Sequence, residues 1–93
     1  MEFEWDDAKN RANIRKHHID FVDVSSVFDR PMLVSADDRE QYGEDRWIAI
    51  GVFPNGVEVV VVFTEPASDT TRIISARRAT REERKRYHEA IGY

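Results

Sequence analysis

The residues of this chain best equipped for chemistry are its arginines. Between Arg72 and His88 stand seven basic residues (Arg72, Arg77, Arg78, Arg81, Arg84, Lys85 and Arg86) against two acids, Glu82 and Glu83. The chain as a whole has a formal net charge of −4, so this cluster is a local excess on an acidic body. A guanidinium can hold a phosphate through two parallel N–H donors and stabilise charge that develops on it. The natural ligand for such a cluster is a polyanion, above all nucleic acid.

Other chemistries lack their residues. There is no cysteine, which excludes a disulfide framework, a thiol nucleophile and a Cys-based metal site. The histidines are His17, His18 and His88, and none has the spacing of a ligand pair; His17 and His18, adjacent on a helix, point about 100° apart. No serine sits in a nucleophile elbow. Gly43, Gly51, Gly56 and Gly92 are scattered and make no phosphate-binding loop. Neither a metal nor a cofactor is expected.

Cationic chemistry remains, and it suits metal-free RNA cleavage. The 2′-hydroxyl attacks the adjacent phosphate, a base takes its proton, arginines hold the pentavalent phosphate, and an acid protonates the leaving oxygen. Arg77 is the first choice for phosphate stabilisation, with Arg46 and Arg72 beside it. Lys16 supplies charge. His17 is the acid or base that titrates near neutrality, although a histidine closing a helix also interacts favourably with the helix dipole. Arg78, Arg81, Arg84 and Lys85 are assigned to RNA binding. Glu83 reads as a capping-box residue and Tyr87 as a core anchor.

These side chains need a scaffold. Phe3-Glu4-Trp5 predicts a short strand. Asp6 predicts the N-cap of a helix over Asp7 to His17, with a poor apolar face of Ala8, Ala12 and Ile14. Asp20 predicts a second cap, and Phe21, Val24, Val27 and Phe28 give an amphipathic helix that Pro31 ends. Met32 to Ala36 is a strand and Asp37 to Asp45 an acidic loop. Arg46 to Phe53 and Val57 to Thr64 read as a hairpin through Pro54-Asn55-Gly56, with Asn-Gly predicting a type I′ turn. Val59 to Val62 is apolar on both faces, as a central strand would be. Glu65 to Thr71 reads as a loop and Arg72 to Ala79 as a strand. Simple alternation puts Arg77 with Ile73 and Ser75 on one face, and Arg72 and Arg78 with Ile74 and Ala76 on the other. Thr80 and Glu83 form a capping box for a helix over Arg81 to Ile91, docked by Tyr87, Ala90 and Ile91. The whole is one α+β domain over residues 1–93, a twisted antiparallel β-sheet with two N-terminal helices and one C-terminal helix. Its longest apolar run, Val59 to Phe63, is too short to span a membrane. The N-terminus has no secretory h-region, and a cytoplasmic location is expected.

Several of these residues resemble a known pattern. Phe3-Glu4-Trp5-Asp6, Lys9-Asn10, Asn13, Lys16-His17 and Phe21 resemble the opening signature of BrnT-type toxins. Gly43-Glu44-Asp45-Arg46 is similar to their central Gly-Glu-x-Arg, and Arg72 to Thr80, with Glu83-Arg84 and Tyr87, to their closing signature. The resemblance implies a RelE-like fold and a ribonuclease that stops translation within a type II toxin–antitoxin system. It also implies a BrnA-like antitoxin whose ribbon-helix-helix domain binds promoter DNA, so that this chain would reach DNA only through its partner. His18 departs from the family, which has Gly after Lys-His, and Glu65 to Thr71 is longer than the family's loop. Two other readings of the residues stand beside this one. The first is a non-catalytic interaction module that binds an acidic protein or nucleic-acid partner through the basic C-terminal segment. The second, direct DNA binding, is weaker, because the chain is acidic and shows no helix-turn-helix pattern.

Overall fold

The computed structural model describes residues 1–92. Five strands form one sheet, β1 (Glu2–Glu4), β2 (Leu33–Ala36), β3 (Arg46–Val52), β4 (Glu58–Ala67) and β5 (Thr70–Arg78), in the order β1-β5-β4-β3-β2. The four longer strands pair antiparallel, as expected, and β1 joins parallel to β5. Strand β4 is central, in keeping with its run of valines. The helices are α1 (Asp7–His17), α2 (Phe21–Val24) continued by a 3-10 segment at Ser25–Asp29, and α3 (Arg81–Ile91). Asp6 and Asp20 cap α1 and α2, and the Thr80–Glu83 capping box opens α3.

Alternation along the strands divides the apolar residues between two faces. On one face, Phe21, Val24 and Val27 pack against Ala49, Val59, Val61, Phe63, Ile73 and Ala76. Phe28 joins Phe3 and Phe63 edge-on, each at 5.1 Å between ring centroids. Gly51 lies directly beneath this layer, where a methyl group would clash with Val27. On the other face, α3 lays Tyr87 over Ile50, Val52, Val60 and Ala79, and the Tyr87 hydroxyl donates to the carbonyl of Pro31 at 2.8 Å. Ile91 packs beside Tyr87, whereas Ala90, expected to dock, is exposed. Each fully buried side chain of this size contributes roughly 1.5–3 kcal/mol.

Three local expectations change. The β3–β4 turn is not type I′, because among the described residues His18 is the only non-glycine at positive φ, and Asn55 therefore lacks the required conformation. Pro54 holds φ negative, so the chain turns over Pro54-Asn55 and places only Gly56 at positive φ (+90°). Glu65 to Thr71 is mostly strand: β4 runs to Ala67 and β5 begins at Thr70. Finally, simple alternation fails on β5. Val62 pairs with Ser75 and Phe63 with Ile73, leaving Ile74 as a bulge. Ile73 and Ala76, three apart, consequently share a face.

Candidate functional site: an arginine-bearing sheet face

The bulge at Ile74 decides which arginines share a face. It places Arg72 opposite Thr64 and Arg77 opposite Val60, so both lie on the face that carries α3. Arg46 also pairs with Thr64 and belongs to this face. Arg78 pairs with Val59 and goes to the other. Helix α3 covers the β2–β3 side of its face and leaves the β5 side open.

Along this face the arginines stand at two levels. Arg46, Thr64 and Arg72 form one cross-strand row, and Arg77 lies two rows further along, beside Val60 and Ile50. Two rows are four residues of strand, roughly 13 Å. Arg46 and Arg72 are thus on Arg77's face but not beside it.

Arg77 is held by α3. Its Nη1 and Nη2 donate to the two carboxylate oxygens of Glu83 at 2.8 and 2.9 Å. Glu83 Oε1 also accepts from the backbone N–H of Thr80 at 2.7 Å. One carboxylate therefore caps the helix and fixes the guanidinium. Arg77 chiefly, with burial opposing it, holds the Glu83 carboxyl down to about 2. In the sequence Glu83 reads as a cap alone, because its tie to Arg77 depends on how the strand turns into the helix.

His17, on α1, feels the charge of Arg77. Asn13 is buried against the β5 edge beyond β1, where its amide accepts from Ala76 N–H at 3.1 Å and donates to Ala76 C=O at 2.9 Å. This side chain satisfies the β5 edge past the end of the short β1. His17 follows one helical turn later on the same side of α1. Partial burial, then Lys16, Arg77 and His18, lower its proton affinity, so the ring is neutral at pH 7 and able to accept a proton. Lys16 is exposed next to it. The chain leaves α1 through His18 in the left-handed region (φ 59°), where the family's glycine would be free of strain.

The remaining assigned residues are dispersed. The Arg46 guanidinium stacks 3.9 Å from the Tyr42 ring centroid, and its buried Nε lacks a hydrogen-bond partner among the described residues, as does Thr64 Oγ1. Arg72 Nε donates to Glu4 at 2.7 Å. Arg78 and Arg81 are exposed. Arg84 donates to the carbonyl of Ala79 at 3.2 Å, and Lys85 reaches Glu89 at 4.0 Å. Two residues escaped sequence reading. Asp37, buried at the end of β2, receives Nε and Nη2 of Arg39 at 2.7 and 2.8 Å, and Arg39 acts electrostatically on Arg77. Both sit in what reads as a featureless acidic loop. No group of three or more acidic or histidine side chains able to hold a metal occurs among the described residues, and no described helix is long and apolar enough to cross a membrane.

Comparison with known proteins bears on the family and the fold. No curated protein matches the chain. Its fold matches the 1.1 Å crystal structure of the Brucella abortus ribonuclease toxin BrnT, with a TM-score of 0.70 and 29% identity, covering 87% of this chain and 99% of that one. Residues 5–83 match the family model of the BrnT ribonuclease toxin of type II toxin–antitoxin systems. With this match spanning most of a chain whose fold is that of a BrnT structure, the protein belongs to the BrnT family of ribonuclease toxins.

Proposed function

We propose that this chain is an endoribonuclease toxin that cleaves RNA through 2′-hydroxyl attack without a catalytic metal. The observation that carries this reading is a fixed guanidinium, Arg77, at the open edge of the sheet, whose charge acts on the imidazole of His17. Glu83 occupies the terminal edge of the Arg77 guanidinium. The Nε–Nη2 edge is left to face two non-bridging phosphate oxygens in the bidentate manner that suits arginine. His17, unprotonated at neutral pH, takes the 2′-hydroxyl proton, Lys16 adds positive charge as the pentavalent phosphate forms, and the bond from phosphorus to the 5′-oxygen then breaks, that oxygen taking its proton from water. Arg46 and Arg72, on the same face, hold flanking parts of the strand. Arg78, Arg81, Arg84 and Lys85 draw RNA toward the site by long-range charge.

Type II membership implies an antitoxin. In this reading it is a BrnA-like ribbon-helix-helix protein that silences the toxin in the cytoplasm and alone contacts promoter DNA. The chemistry leaves a signature: expression in cells should arrest growth and yield RNA fragments ending in 2′,3′-cyclic phosphate and 5′-hydroxyl. Arrest with intact RNA would instead favour a non-catalytic interaction module.

A further inference from the structure

Two guanidiniums on this face are each fixed by a carboxylate of their own, and their like charges act on one another. Arg77 is gripped end-on by Glu83 through Nη1 and Nη2. Arg39 is gripped side-on by Asp37 through Nε and Nη2. The Asp37 side chain is fully buried, whereas that of Arg39 is 63% exposed. Asp37 sits where β2 ends, its N–H donating to the carbonyl of Arg46 at 2.7 Å. It follows Leu33 and Ser35 at strand spacing on the α3-bearing side of the sheet.

Burying a carboxylate to hold an exposed arginine is a poor way to gain stability, since desolvation offsets most of the attraction. It is an effective way to fix orientation. An arginine in an exposed loop would otherwise sample many rotamers. Here its Nη1 edge is presented in one direction, and the like charges of Arg39 and Arg77 interact unfavourably. An anion lying between them would reverse the sign of that interaction.

We infer that Arg39, oriented by buried Asp37, forms a second phosphate subsite on the sheet face and binds a phosphate of the RNA strand that flanks the one held at Arg77. This rests on the ribonuclease reading above and adds a residue that neither the family signature nor the basic C-terminal segment contains. Asp37 is a positioning residue, acting through Arg39.

The test is binding of a 2′-O-methyl oligonucleotide, which offers the phosphates but cannot react by 2′-hydroxyl attack. Affinity is followed against salt concentration for wild type, Arg39→Ala, Arg39→Lys, Asp37→Asn and Arg77→Ala. Loss of one phosphate contact lowers the slope of log affinity against log salt by about 0.7 for a single strand. Arg39→Ala should show that loss together with about tenfold weaker binding, and Arg39→Lys should keep the slope. Asp37→Asn should weaken binding while thermal unfolding shows the chain still folded. A slope unchanged in Arg39→Ala while it falls in Arg77→Ala overturns the second subsite and leaves the ribonuclease reading intact. Slopes unchanged in both variants, or no binding by wild type, overturn the two together.

Discussion

The two faces of the sheet are built from the same strands and have opposite characters. The face under α2 is closed: Phe21, Val24, Val27, Val59 and Val61 are each fully buried. The α3 face is apolar only beneath Tyr87. Towards β5 it carries Arg72, Ser75 and Arg77 and faces solvent. Neighbouring residues show the division most sharply, for Arg77 and Arg78 differ by one position and one face. What separates them is the pleat, and what brings Arg72 to Arg77's side is a single extra residue, Ile74. On the function proposed above, the chemistry belongs to the side of the sheet opposite the closed core, and substitutions should separate the two.

On the closed face, Phe21→Ala removes a ring with no exposure and should cost about 3–5 kcal/mol, measured by denaturant unfolding. Any protein that remains folded should keep its kcat/KM for RNA. On the open face, His17→Ala should reverse the pattern, with stability nearly unchanged and cleavage reduced on the order of 100-fold. In wild type, the acid limb of the kcat/KM profile should lie below the ordinary histidine value of 6.5, since burial, Lys16 and Arg77 all disfavour the imidazolium. An acid limb above that value would remove His17 as the base.

Much of this was legible in the sequence and some was not, for physical reasons. Caps are local, so Asp6, Asp20 and the Thr80–Glu83 box could be read directly from side chains and spacing. Tyr87 was legible as a core anchor, because a large aromatic on a basic helix has few other places to go. The Ile74 bulge was not legible, since nothing within β5 announces a residue without a cross-strand partner. Strict alternation therefore placed Arg72 and Arg77 on opposite faces. The Asp37–Arg39 pair was hidden in an acidic loop because its meaning comes from burial, which only the fold reveals.

The link between Arg77 and Glu83 gives a smaller effect. Glu83 is held near 2 in the fold against 4.5 when free, so its charge stabilises the folded state above about pH 4.5, and that contribution disappears as pH falls through 2. Wild type should accordingly be more stable than Glu83→Gln at neutral pH, with the gap closing across that window in urea titrations. A gap of constant size would mean that the capping bond alone matters. The smallest effect should be a gain: His18→Gly relieves a left-handed backbone (φ 59°) and should raise stability by about 1 kcal/mol. Cleavage should be unaltered, because His18 contributes only a minor influence on His17.

The central claim is that Arg77, fixed on the open face, stabilises the reacting phosphate without help from a metal. Single-turnover cleavage of one RNA in EDTA by wild type, Arg77→Ala and Arg78→Ala tests it most directly. Wild type should cleave, Arg77→Ala should be slower by about 10²–10³-fold, and Arg78→Ala by only a few-fold in steady binding conditions. Cleavage that requires a divalent ion, or that loses equally from either arginine, would contradict the account.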